Sequence, residues 1–439
     1  MKNNNTLRIQ YLSYCAAYVL SMLLSRSGLH ILSGVILLIE AVLIYLILFW
    51  KEQNLVNMKG FFTLSWVGGQ GVACFQLSHL QKDWSNVTWF CFWLIYMGFS
   101  IGYDLFEKKK YVPEEGQIPF KKDETTARRL LICIVGLAVA SAACFTLEAV
   151  VVGFIPFFSD LPHAYSYFHI SGVHYFTVSC ILIPAISVLY LKLTKEKKVV
   201  KMLILGVCNV EAVLIPILCV SRFQLLFAVG FAVVTYIIVN KKIKLRTLIG
   251  LMCVMIPAYV VLTVARNHDV EYLNGIFEMK NSSIPIFITQ PYIYVANNFE
   301  NFNCMVEQLT SHTWGLRMLF PVFALTGLKF VFPSLVAYPN FITKTELTTL
   351  TMFYDSYYDF GVPGVFAFAC LIGTFASAVN QRVKKDQNPI IYLLYGQVAI
   401  YLGLSFFTTW FSNATTWFWF AMTFIMYLFV GCRKREKNE

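Results

Sequence analysis

The chain has 439 residues, 58% hydrophobic and 16% aromatic but only 13% charged. Soluble globular domains average about 45–50% apolar and about 25% charged residues, so this composition excludes one. Nor does the formal net charge of +11 point to nucleic acid: basic nucleic-acid modules carry dense charge on a readable fold motif, and here charge is sparse between long apolar runs.

A helix needs about 20 apolar residues to cross a hydrocarbon core. Twelve runs of that kind predict an all-α polytopic membrane protein: 8–26, 29–50, 60–79, 87–106, 130–152, 173–192, 202–220, 223–240, 247–265, 357–379, 389–410 and 414–431. The first run has no small-residue cleavage site behind it and leads directly into the second, so it reads as a span rather than a cleaved leader. Orientation follows from Lys and Arg in the connections. With both termini cytoplasmic, 27 of the 35 basic residues fall inside and eight outside. Eleven acids share the inner face and ten the outer, so the inner face is near +16 and the outer near −2. The organisation expected is nine spans over 1–265, a long outer segment over 266–356, and three spans with a basic cytoplasmic tail over 357–439.

Of the twelve cysteines, Cys304 alone falls in a sizeable outer segment, which excludes a disulfide framework. No pair has the spacing of a zinc site. The outer segment 266–356 is far longer than an ordinary connection, and long loops of this kind are often functional. Its stretch WGLRMLFPVFALTGLKFVFP at 314–333 is long enough to span. A thirteenth crossing would place Arg382, Lys384, Lys385 and the basic tail outside, so the stretch is read as interfacial or re-entrant. A second outer loop, 153–172, contains no Lys or Arg. All seven histidines fall at or near the outer face. His163, His169 and His174 lack the spacing of a helical metal pair, but a histidine remains a candidate for proton transfer.

Ionisable residues at membrane depth are site candidates by default. Glu40 in the second run is read as a packing residue; Glu148 and Glu211 are open between a packing role and an intramembrane site. Arg222 lies at the tip of a tight outer hairpin, in SRFQ at 221–224. Arg266 lies where the ninth run ends, in ARNHD at 265–269, and Arg317 lies in the apolar part of the outer segment. Arginine binds phosphate through a planar fork that keeps its charge, so the three could converge on one anionic ligand; snorkelling to lipid phosphates is the alternative for each.

The C-terminal half carries loose motifs: FYDSYYDFGVPGVFAFACLIGTF at 353–375, YIYVANNFENFNCMVEQLT at 292–310 followed by WGLRMLFP at 314–321, and SRFQLLFAVGF at 221–231. Over roughly 200–431 the chain resembles the bacterial oligosaccharide repeat-unit polymerases, the Wzy-type enzymes of O-antigen and capsule synthesis. The resemblance implies a glycosyltransferase of the bacterial cytoplasmic membrane. Such enzymes join undecaprenyl-pyrophosphate-linked oligosaccharides at the outer face, without metal or other cofactor, beside the flippase and chain-length regulator of the same pathway. Their outer-loop arginines would fall here on Arg222 and Arg266, with Arg317. Related ligases use an outer-loop histidine for proton work, and His312 sits in a comparable place. The transfer needs a base for the acceptor hydroxyl and positive charge on the departing pyrophosphate. Candidate bases are His312, Asp355, Asp359, His268 and Asp269, with a helix N-cap as the other reading of Asp359. Gly361 and Gly364 are explained by a tight start to the tenth run. The DFG at 359–361 lacks the company of a kinase motif. A lipid-linked oligosaccharide flippase and an O-antigen ligase are the rival readings.

Overall fold

Ser85 accepts a hydrogen bond from the Thr88 amide (3.1 Å) and Asp123 from that of Thr125 (3.0 Å), capping the starts of two helices in the usual manner. The computed structural model describes residues 2–107, 122–159, 164–196, 198–241, 250, 253 and 270–431. Among these residues no strand forms, and nine helices are long and apolar enough to cross a membrane. The chain is an all-α polytopic membrane protein.

Nine of the twelve expected runs coincide with those helices. In chain order the helices are α1 (Lys2–Arg26), α2 (His30–Glu52), α3 (Met58–Ala73), α4 (Asn86–Phe106) and α5 (Glu124–Val152). After them come α6 (Val173–Thr177), α7 (Ile183–Leu193), α8 (Val199–Leu218) and α9 (Arg222–Asn240). The run at 60–79 forms only the 16 residues of α3, almost all of them buried. The run at 247–265 lies outside the described residues, apart from Gly250 and Cys253.

The segment after it is more structured than its sequence suggests. It forms α10 (Val270–Phe277), α11 (Ile286–Gln308), and two short helices, α12 (Phe320–Leu325) and α13 (Leu328–Val331), separated by Gly327 at φ 76°. The stretch 314–333 is therefore broken, not a thirteenth spanning helix. It is followed by α14 (Tyr354–Lys385), α15 (Ile390–Gly403) and α16 (Ala414–Gly431). The run expected at 389–410 is thus the 14-residue α15.

The chain divides into two compact units: Met1–Lys109, Asp269–Asn380 and Tyr401–Thr416 form the first, and Lys110–His268, Gln381–Ile400 and Trp417–Glu439 the second. In the first, α4 and α14 approach backbone to backbone. A Cβ built on Gly102 would lie 2.2 Å from the Cys370 carbonyl, and one on Gly373 would lie 2.1 Å from that of Phe99. Small residues serve this purpose in lipid, where apolar burial does little to hold helices together and close packing does more. Trp66, Phe62, Phe92 and Phe299 pack as a buried aromatic cluster beside this contact. A buried ion pair joins α3 to α4: Lys59 Nζ reaches both Asp104 oxygens, at 2.8 and 2.6 Å, and Tyr11 of α1 donates to the same carboxylate at 2.7 Å. Glu40 accepts from Ser13 at 2.8 Å, which ties α2 to α1.

Helix α11 holds the remainder of that unit by polar contacts. Asn301 donates to the Leu347 and Thr349 carbonyls (2.8 and 2.9 Å), and Thr343 donates to Asn297 (2.8 Å). Asn303 accepts from the Ser85 amide and the Thr88 hydroxyl at the start of α4. All of these asparagines are buried, and each bond removes the cost of an unpaired polar group. In the second unit, Phe231 of α9 packs against Trp419 of α16, and Thr423 bonds Gln397 of α15 at 3.1 Å.

Candidate functional site

The sequence YDSYYDFG at 354–361 places Asp355 and Asp359 four residues apart, and Tyr354 and Tyr358 likewise. On a helix, residues so spaced share a face. The turn 313–318 is laid along that face. Arg317 Nε donates to Asp355 at 2.7 Å, Nη1 to the Pro339 carbonyl at 3.1 Å and Nη2 to Asn340 at 2.8 Å. Its guanidinium lies over Tyr358, 4.4 Å from the ring centroid, and more distantly over Tyr354. Burial opposes the charge of Arg317, and the adjoining Asp355 carboxylate more than offsets it, so the pKa stands above its ordinary value.

Asp359 is fully buried and accepts from the Arg317 amide (3.2 Å), the Met318 amide (2.8 Å) and the Thr313 hydroxyl. It does not cap the start of α14, five residues earlier; it binds the 313–318 turn. The reason is local. The residue four positions on is Pro363, which has no N–H to give the Asp359 carbonyl, and the helix breaks at Gly361 (φ 62°, ψ −148°). The Trp314 amide takes the vacated carbonyl at 3.1 Å. Gly364 is needed for the same turn, since a Cβ there would lie 2.4 Å from the Ser356 carbonyl.

His312 stands at the edge of this assembly and is exposed. Its Nδ1 lies 3.1 Å from the Tyr358 carbonyl. A carbonyl only accepts, so Nδ1 carries the proton of that bond, and in the neutral ring Nε2 keeps its lone pair. The imidazole lies over Gly361: a Cβ built on that glycine would be 3.0 Å from Nε2. Gly315 (φ 100°) lies under the Phe360 ring in the same manner: a Cβ built on it would be 3.3 Å from the ring edge.

No protein-family model, curated protein or solved structure matches the chain. Four of the sequence candidates, His312, Arg317, Asp355 and Asp359, come together in the first unit. Arg266, His268 and Asp269, like His163, lie outside the described residues.

The other candidates belong to the second unit. Glu148 is buried near the end of α5 and accepts from the Ile170 amide (2.9 Å), the Thr177 hydroxyl (2.8 Å) and His174 Nδ1 (3.1 Å). It ties the loop after α5 to α6. Glu211 sits midway along α8, with Oε1 buried and without a hydrogen-bond partner among the described residues. Arg222 is the first residue of α9, behind the Ser221 cap and Val220, which takes a positive φ of 53°. Among the described residues no group of three or more His, Cys, Asp or Glu side chains is arranged to hold a metal ion.

Sequence reading missed Trp314, Tyr354, Tyr358 and Asn340, which build the walls of the site. The available signals were the two tyrosines at the spacing of the two aspartates, and Pro363 four residues beyond Asp359.

Proposed function

We propose that the chain is a repeat-unit polymerase of the bacterial cytoplasmic membrane, transferring a growing glycan from undecaprenyl pyrophosphate to a new lipid-linked repeat unit. The observation that supports this reading is His312: an exposed imidazole oriented through Nδ1–H, with Nε2 left as a base. In this reaction Nε2 accepts the proton of the acceptor hydroxyl while that oxygen bonds to the anomeric carbon of the donor. The bond from that carbon to the pyrophosphate oxygen breaks, and the lipid pyrophosphate leaves with the electron pair. General-base help of this kind contributes about 10²–10⁴-fold. Arg317, whose Nε, Nη1 and Nη2 already donate within the protein, positions the 313–318 turn and with it His312.

The test is a deletion strain complemented with His312→Ala, with surface glycan resolved by gel. The expected outcome is a glycan of one repeat unit at normal protein level, as in the deletion strain. Long polymer from His312→Ala would remove His312 from the mechanism. Repeat units trapped inside the deletion strain would indicate a flippase, and unattached long lipid-linked polymer a ligase.

A further inference from the structure

Trp314 is 76% exposed although its backbone has a φ of 54°, which is a genuine outlier for a bulky residue. Strain of this kind persists where the surroundings over-determine it and clusters at ligand clamps. Two neighbours impose it here: the amide is held by the Asp359 carbonyl, and Gly315 follows, buried beneath Phe360. The indole meets His312 edge to face at 6.5 Å between centroids, and Phe360 edge to face at 6.3 Å. At that exposure most of the indole stays open to a ligand.

We propose that Trp314 is the stacking platform of a sugar subsite, holding one pyranose ring of the oligosaccharide with a hydroxyl directed at His312 Nε2. The ring face of an aromatic is electronegative, and it suits the C–H groups of a sugar, polarised by the oxygens beside them. A rigid ring next to a base also supplies the positioning that a hydroxyl acceptor needs, within hydrogen-bond reach of the accepting nitrogen. A tryptophan anchored in lipid headgroups requires no strained backbone, and the exposed aliphatic side chains that suit lipid, Leu319, Val322 and Val331, follow later in the segment.

This inference rests on the glycan-transfer reading, and its test separates the two. Full-length wild type, Trp314→Phe and Trp314→Gly are compared in nanodiscs, first with the delipidated repeat-unit oligosaccharide of the strain that carries the chain. They are then compared in nanodiscs of brominated phosphatidylglycerol. The oligosaccharide is expected to change the emission that wild type has and Trp314→Phe lacks. Trp314→Gly should bind about tenfold more weakly and Trp314→Phe by no more than about threefold. Trp314→Gly should unfold at no lower temperature than wild type, because glycine relieves the strained φ. Unchanged affinity in Trp314→Gly overturns the subsite. So does an emission difference quenched by brominated lipid and indifferent to oligosaccharide, which would make Trp314 a lipid anchor. If polymer length depends on His312 but not on Trp314, the subsite falls alone. If the deletion strain traps repeat units inside or accumulates unattached long polymer while oligosaccharide binds through Trp314, the polymerase reading falls and the subsite stands.

Discussion

Asp359 in the first unit and Glu148 in the second are built alike. Each is a fully buried carboxylate on an apolar helix, and each accepts from a threonine hydroxyl and from backbone amides or a histidine of a distant segment. In lipid-embedded helices such acids are costly unless their lone pairs are taken up, and here three donors do so in each case. The difference lies in what is left over. Around Glu148 the histidine itself is consumed by the carboxylate. Around Asp359 the turn is held by its amides, so His312 and Trp314 beside it remain exposed. A buried acid thus marks where a loop is fastened, and chemistry is to be sought in the side chains the fastening leaves free.

The largest effects should come from removing the two fasteners. Asp359→Ala leaves two amides and a hydroxyl without an acceptor, at about 1–3 kcal/mol for each buried group, or roughly 4 kcal/mol after partial relaxation. Glu148→Ala should cost a similar amount by the same arithmetic. Thermal unfolding in detergent measures both. Polymer yield is a second readout: Asp359→Ala should also lose polymer even at temperatures where it stays folded, whereas Glu148→Ala should keep polymer in proportion to folded protein. Equal loss of polymer per folded molecule in both variants would break the distinction.

Glu300 on α11 sharpens the point from the opposite side. It is as buried as the other two, but its side-chain donors are neutral and long: Trp84 Nε1 and Asn303 Nδ2, both at 3.3 Å. Burial outweighs them and pushes its pKa up to about 7 from an ordinary 4.5. The folded state therefore holds a proton that the unfolded chain releases. Stability from this group is fully present below about pH 4.5 and is lost as pH rises through about 7. Glu300→Gln should leave unfolding unchanged near pH 4 and stabilise at pH 8 by up to about 3 kcal/mol, at about 1.36 kcal/mol for each pH unit between the folded and unfolded values. A pH-independent difference between the two proteins would show that Glu300 does not carry the extra proton in the folded state.

Much of this architecture is legible in the sequence because the apolar runs are long and uninterrupted, and lipid demands helices of a set length. The candidate site is half legible. The aspartates at 355 and 359 announce a shared helical face, and His312 and Arg317 stand out as polar residues near apolar ones. Their meeting with α14 is not legible, because it depends on hydrogen bonds between segments some forty residues apart and on a carbonyl released by Pro363. Helix α11 is hidden for a related reason. Asn297, Asn298, Glu300, Asn301 and Asn303 obscure any apolar period, and they become buried only through partners at 341–350 and 84–88. The positive φ of Trp314 has no sequence signature except the glycine that follows it.

The smallest expected change in stability tests the site most directly. Gly361 has a backbone conformation that only glycine adopts readily (φ 62°, ψ −148°), so Gly361→Ala should cost about 1–3 kcal/mol. The added methyl would also stand 3.0 Å from His312 Nε2 and must displace the imidazole. If His312 acts from its present position, Gly361→Ala should lose far more polymer than its loss of folded protein explains. The matching change at the other glycine of the pair, Gly315→Ala, presses on Phe360 instead. It carries a comparable backbone strain, with φ 100°, yet leaves His312 in place. Gly315→Ala should therefore keep more polymer per folded molecule than Gly361→Ala. A matched pair of strained glycines, one beneath the proposed base and one beneath a phenylalanine, thus separates loss of fold from loss of the base. Equal polymer per folded molecule in the two variants would mean that the position of His312 does not matter to the reaction.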